Sequence, residues 1–298
     1  MSVKLSVVIL TYKRDDALEQ TLGKLFEVFG YDPEVQMVLV DNNADGRDRA
    51  SFMQAFANSE VVSEGYNLGV AAGRNKGIAK ADGDIVLFLD DDAVLDVRGD
   101  FLRTVEETFA GSPRLGAIAF RSFVGDQRIE DPIEFPHTDK LKDHASSFAT
   151  FRFIGVAHLI RHSALIDVGN YCDAFFYGME EFDLSYRLLK RGWEIRYASD
   201  FRVRHMKADA GRMPSKSVIR RMYANKLAVG WMHLPLKQFC ASGLAWFVKT
   251  TIDARSPVVP MRAIGDFLAM AAHGRLLRRD PSKALVDTIR SLGGKAWK

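Results

Sequence analysis

The stretch Ile85-Val86-Leu87-Phe88-Leu89-Asp90-Asp91-Asp92 decides how this chain is read. Five apolar residues bounded by polar ones predict a buried strand. Three carboxylates at its mouth repel one another, and a cation is the simplest way to neutralise them at neutral pH. Hard divalent ions take carboxylate oxygens and commonly complete their shell with substrate phosphates. The stretch therefore predicts a metal-diphosphate site at a strand end. A solvated acidic turn is the plainer alternative.

The surroundings repeat the pattern. Leu5–Leu10 is an apolar run followed by Thr11-Tyr12-Lys13-Arg14, with a helix expected from about Asp15. Val38-Leu39-Val40 predicts a second strand ending in Asp41-Asn42-Asn43. A short strand near Val61-Val62 precedes a helix from about Val70 that carries Arg74. Strands and helices alternating at short intervals predict an α/β domain with a parallel sheet. In such sheets ligands sit outside the carboxyl ends of the strands. Arg14, Asp41 and Asp90 all follow predicted strand ends.

Residues 121–149 are charged and aperiodic and predict a long loop or lid. Phe153–Ile160 reads as a strand, Glu181–Lys190 as a helix ended by Gly192, and Trp193–Tyr197 as a short strand with Val203-Arg204-His205 beyond it. Glu180-Glu181-Phe182-Asp183 opens the helix. Acidic residues there suit the helix dipole. A carboxylate crowded by two others also suits a general base, because repulsion raises its pKa. His205 is either structural or a further metal ligand, and imidazole suits Mn²⁺ better than Mg²⁺.

Composition narrows the class. The chain has 298 residues, 47% hydrophobic and 27% charged, enough for one large domain or a domain with an appendage. Cys172 and Cys240 stand alone, which argues against structural zinc or a disulfide framework and suits a reducing cytoplasm. No signal peptide and no bilayer-spanning stretch are expected. Residues 1–201 carry 22 Lys and Arg against 33 Asp and Glu; residues 202–298 carry 19 against 5, with no glutamate. This division predicts an acidic catalytic body, 1–211, and a basic helical segment, 212–298. Helices are expected over Val218–Trp231, Leu236–Ile252, Met261–Arg279 and Ser282–Leu292. The tail reads as a cap with a solvated basic face, or as an amphipathic segment for an anionic membrane surface with Trp231, Phe239, Trp246 and Phe247 on its apolar side. Its apolar faces also suit a homo-dimer contact. Nucleic acid is not expected as a partner, because no recognition motif accompanies the charge. Neither a dinucleotide-binding glycine pattern nor a P-loop is present, since Gly69, Gly73 and Gly77 fit neither spacing.

Taken in order, these motifs resemble the inverting family 2 glycosyltransferases of the GT-A fold. The resemblance rests on Ser6 to Arg14, Val40-Asp41-Asn42-Asn43, Asn67-Leu68-Gly69, Gly73-Arg74-Asn75-Lys76-Gly77 and Leu89-Asp90-Asp91-Asp92. It continues through Gly169-Asn170-Tyr171, Phe175-Phe176, Glu180 to Leu184 with Arg187, and His205, covering roughly residues 4–207. It implies a Rossmann-like nucleotide-diphospho-sugar transferase domain with a mainly helical C-terminal extension. It implies a nucleotide-sugar donor, a Mn²⁺ or Mg²⁺ ion, and a glycan or lipid-linked acceptor. Thr11, Arg14, Asp41 and Arg74 match nucleotide-holding positions; Asp90, with Asp91 and Asp92, matches the D-x-D site for ribose, metal and diphosphate. His205 matches a third metal ligand. Glu181 falls where most relatives have the aspartate of an E-D pair, which leaves the base open among Glu181, Glu180 and Asp183. The opening motif and tail resemble rhamnosyl- and galactofuranosyl-type transferases of bacterial surface glycans, which implies a cytoplasmic protein peripheral to the inner face of the membrane. UDP- or dTDP-sugars fit Asp41 and Arg74 better than GDP-sugars. Two other functions remain: a nucleotidyltransferase, disfavoured by the absence of a glycine-rich loop after the first strand, and a non-catalytic binding module, disfavoured by the intact acidic clusters.

Overall fold

The computed structural model describes residues 4–126, 129–208 and 215–296. Its frame is a mixed sheet. Strands β1 (Leu5–Thr11), β2 (Val35–Asp41), β3 (Asn58–Ser63) and β4 (Ile85–Asp90) run parallel in the order β3-β2-β1-β4. The sheet continues from β4 through β8 (Ala157–Arg161), β6 (Leu115–Val124), β9 (Glu194–His205) and β5 (Ala93–Leu95), with β7 (Phe148–Thr150) also pairing β9. β8 is antiparallel to both its neighbours, whereas β6 and β9 run parallel.

Side chains of a strand alternate between faces, and the first run shows it. Leu5, Val7 and Ile9 join a core on one face, with Leu18, Leu22 and Leu25 of α1 (Asp15–Phe29) and Val105 and Phe109 of α3 (Phe101–Ala110). Val8 faces the other core, with α2 (Val70–Ile78), α4 (His162–Val168) and α5 (Glu180–Lys190). Helix α2 lies close to the sheet: a Cβ at Gly73 would sit 2.5 Å from Leu10, and one at Gly77 2.3 Å from Val8. The Gly73/Gly77 spacing therefore serves packing.

The C-terminal helices are α6 (Ser215–His233), α7 (Leu236–Ala254), α8 (Val258–Ala272) and α9 (Lys283–Ser291). Tyr223 and Leu227 of α6, Phe267 of α8 and Leu285 of α9 belong to the same apolar cluster as Val8 and Phe88. The expected boundary at 211/212 lies outside the described residues.

Several expectations need correction. The expected strand at Trp193–Tyr197 begins at Glu194 and joins the segment around His205 in one twelve-residue strand, because Phe201 and Val203 continue the inward alternation across the charged Asp200, Arg202 and Arg204. The strand expected at Phe153–Ile160 begins only at Ala157. Residues 121–124 belong to β6, and the irregular stretch after them is anchored rather than a detached lid: Phe135 is core and Glu134 is buried. Trp231, Phe239, Trp246 and Phe247 are half-buried and pack against the core, so they are not the most exposed apolar residues of the tail.

Candidate active site

Four strand ends meet at a cavity of about 210 Å³ lined by Tyr12, Arg14, Asn42, the three aspartates, Phe176 and His205. The parallel register places Thr11 beside Asp41 and Leu10 beside Asp90, while β9 brings His205 opposite Ala93 of β5. Each aspartate of the triad has different partners. Asp91 is buried and turned back into the protein, accepting from the Thr11 hydroxyl at 2.9 Å and Arg14 Nη1 at 2.8 Å. Asp90 and Asp92 remain beside His205, and the three offer ligand atoms within 4.8 Å of one another.

Asp92 Oδ2 accepts from the Ala208 amide at 2.8 Å. Asp92 Oδ1 is buried, has no hydrogen-bond donor in line, and lies 3.4 Å from His205 Nε2. The other imidazole nitrogen, Nδ1, is 2.7 Å from Glu134 Oε1, and Ser122 donates to Glu134 Oε2. A carboxylate behind a ligating imidazole is the usual support of a metal-binding histidine. An orphaned carboxylate oxygen, a second carboxylate and a supported imidazole fit a divalent cation. Burial works against charge on His205, yet the Asp92 and Glu134 carboxylates outweigh it and raise its pKa to about 9. The imidazolium thus neutralises the cluster, and a cation seated there would displace its proton. Burial raises the Asp90 pKa to about 7 against the pull of Arg74, although 34% of its side chain is exposed and water screens part of the effect.

Arg74 joins this cluster to the second one. Its Nη2 is 3.2 Å from Asp90 Oδ1 and 2.9 Å from the Gly155 carbonyl; its Nη1 is 3.4 Å from Glu180 and 3.5 Å from Glu181. Glu180 is buried with Oε2 unpartnered, and burial together with the adjacent Glu181 raises its pKa well above the usual range despite Arg74. Glu181 is the more open of the two, 16% exposed against 3%. Asp183 turns away: it is fully buried and accepts from Arg187 at 2.7 Å, and His233 Nε2 on α6 lies 2.7 Å from its other oxygen. Burial opposes its charge, but Arg187 and His233 prevail and lower its pKa.

Asp41 and Arg74 do not line the cavity. Asp41 lies one layer behind Asn42, its oxygens taken by Asn43 at 2.7 and 2.8 Å and by Arg49 at 3.0 Å. Arg49 is itself buried and also binds Asp15 and Asp45. Replacing Arg49 by alanine should cost about 3 kcal/mol in urea unfolding, because Asp41 would lose its buried counter-charge. A loss under about 1 kcal/mol, the range of an exposed pair, would show that the Asn43 amides suffice. Arg49 and Glu134 escape sequence reading. Both lie in irregular segments whose charges look like solvated loop residues, and only folding brings them to Asp41 and His205.

A family model described as "Glycosyl transferase family 2" matches residues 6–169, more than half of the chain. The chain belongs to this family. It is a glycosyltransferase with the GT-A fold, built on the mixed sheet above. An uncharacterized protein of Haemophilus influenzae is 29% identical over 170 residues, 55% of this chain and 91% of that protein. The poly-beta-1,6-N-acetyl-D-glucosamine synthase of Staphylococcus aureus is 25% identical over 205 residues, 65% of this chain, and the matched part is about half of that synthase, 47%. The crystal structure of GalNAc-T7 with UDP, GalNAc and Mn²⁺ superposes with a TM-score of 0.61 at 15% identity, covering 90% of this chain and 57% of that one. Among the described residues no helix is long and apolar enough to cross a membrane.

Proposed function

We propose that this glycosyltransferase is a metal-dependent inverting enzyme. It moves a sugar from a nucleotide-diphosphate donor, a UDP- or dTDP-sugar, to a hydroxyl of a glycan or lipid-linked acceptor. The observation that carries the reading is the joining, through Arg74, of two acidic clusters with different environments: Asp90, Asp92 and His205 at the cavity, and Glu180 with Glu181 beside it. The relative crystallised with UDP and Mn²⁺ supports the donor class.

Asp90, Asp92 and His205 would hold Mn²⁺ or Mg²⁺, which when bound supplies Lewis-acid stabilisation of the departing diphosphate. Arg14 adds positive charge at the cavity wall. Thr11, Asp41 and Arg74 act from one layer back: Thr11 fixes Asp91, Asp41 fixes the Asn42-Asn43 turn, and Arg74 fixes Asp90. Glu181 accepts the proton of the acceptor hydroxyl as that oxygen attacks the anomeric carbon. One displacement needs one base and no covalent nucleophile, so the anomeric configuration inverts.

The test is a thermal-shift panel of UDP, dTDP, GDP and CDP, each with and without Mn²⁺. A ligand at 100 times its dissociation constant stabilises the fold by about 2.7 kcal/mol. A Mn²⁺-dependent shift with UDP or dTDP is expected, and the product's anomeric configuration, read by NMR, should be opposite to the donor's. No shift with any nucleotide, or a retained configuration, would overturn the reading.

A further inference from the structure

Helix α7 exposes Leu236, Cys240, Leu244, Val248 and Ile252, each beside the next at a four-residue spacing, in a row that winds slowly around the helix. Helix α8, which follows after a three-residue turn, exposes Val258, Met261 and Leu268 together with the small Gly265, Ala269 and Ala272. Both helices pack on α6, and Thr250 of α7 and Ala263 and Phe267 of α8 are buried. The exposed apolar rows are therefore on the sides turned away from the core. Leu244 and Ile252 are each 68% exposed and Met261 63%, so among the described residues nothing covers them. A patch of this kind marks an interaction surface.

The charges around it select the partner. Residues 236–279 contain Lys237, Lys249, Arg255, Arg262, Arg275, Arg278 and Arg279, against Asp253 and Asp266 and no glutamate. Asp266 is bound to Arg220, and Asp253 to Lys249. An apolar row edged by cations is the composition of a surface that lies in the headgroup plane of an anionic bilayer. A copy of the same basic face would repel it.

We propose that the α7–α8 hairpin docks this protein on an anionic lipid surface, with Leu244, Val248, Ile252, Met261 and Leu268 entering the headgroup boundary. The face differs from the aromatic side expected from sequence, whose residues are half-buried against the core. Its position has a consequence for the reaction. Asp266, Ala269 and Met270 of α8 line a cleft of about 700 Å³ whose far wall includes Phe176, and Phe176 also lines the cavity at the aspartates. A bilayer under α8 would lie beside that cleft.

Sedimentation with phosphatidylglycerol or phosphatidylcholine vesicles tests the proposal without any nucleotide, so it stands or falls apart from the donor reading. Binding to the anionic vesicles at low salt, weakened as salt rises, is expected. The double variant Leu244→Asp, Leu268→Asp should weaken it about tenfold or more, and Lys237→Gln with Arg262→Gln about fivefold per charge removed. These positions are exposed, so circular dichroism and melting should match the parent. Failure to sediment with phosphatidylglycerol at low salt overturns the proposal. So does a dimer in light scattering that Leu244→Asp disperses while vesicle binding is absent, because the face would then belong to a second copy.

Discussion

Asp92→Asn is expected to abolish the Mn²⁺-dependent nucleotide shift and to lower transfer about a thousandfold or more. The carboxylate's Oδ1 is buried without a donor, and its charge is what a cation would meet there. Asparagine keeps the shape, but its single neutral oxygen either accepts from the Ala208 amide, leaving an NH2 group toward the cation, or faces the cation and gives up that bond. Losing several kcal/mol of charge stabilisation corresponds to three or more powers of ten in rate. Proton linkage supplies a second readout. The folded pKa of His205, about 9, stands above its unfolded value of 6.5. Its charged form therefore stabilises the fold fully below pH 6.5, and that contribution disappears as pH rises through about 9. In Asp92→Asn one of the two flanking carboxylates is gone, so the His205 titration followed by NMR should move down and the alkaline loss of stability should begin earlier. An unchanged His205 titration together with an intact metal-dependent shift would remove Asp92 from the site.

The parts of this site that could be read from sequence are those whose chemistry and backbone position are local. Asp90-Asp91-Asp92 ends an apolar strand, and Asp41 ends another, so the sequence alone puts both at one sheet edge. What each side chain does there was not local. Asp91 is bonded back to Thr11 and Arg14, while Asp90 and Asp92 lie beside His205; Asp91 and Asp92 form the turn after β4, where no strand alternation tells which carboxylate points which way. Arg74 and Asp183 show the same limit. Arg74 could be assigned to a nucleotide by motif, yet its partners Asp90, Gly155 and Glu180 lie 16, 81 and 106 residues away. Asp183 is drawn off by His233, 50 residues on. In the tail, α7 is apolar on more than one side, so periodicity finds the helix without telling which row is buried. Trp246 and Phe247 are half-buried and Leu244 and Val248 exposed because only the former meet the core.

Glu181→Gln should lower transfer by about 10²- to 10⁴-fold, the range of a lost general base, while the nucleotide shift stays at the parent value. Glu180→Gln is the informative contrast. Glu180 is buried beside Glu181 and its pKa is raised well above 4.5, so folding favours its protonated form. The cost of ionising it grows as pH rises from 4.5 through that raised value. Glutamine resembles the neutral acid and escapes the cost. Glu180→Gln should therefore melt at the same or a higher temperature at neutral pH and keep most of its transfer activity. Gly155→Ala separates the position of the base from its charge. The new Cβ would lie 2.2 Å from Glu181 Oε1 and 3.3 Å from Arg74 Nη2, so the carboxylate must swing away while remaining ionisable. Transfer should fall with nucleotide binding retained, as in Glu181→Gln. If Glu180→Gln were the inactive variant and Glu181→Gln the active one, the base would be Glu180, and Arg74 would serve to hold that buried carboxylate ionised.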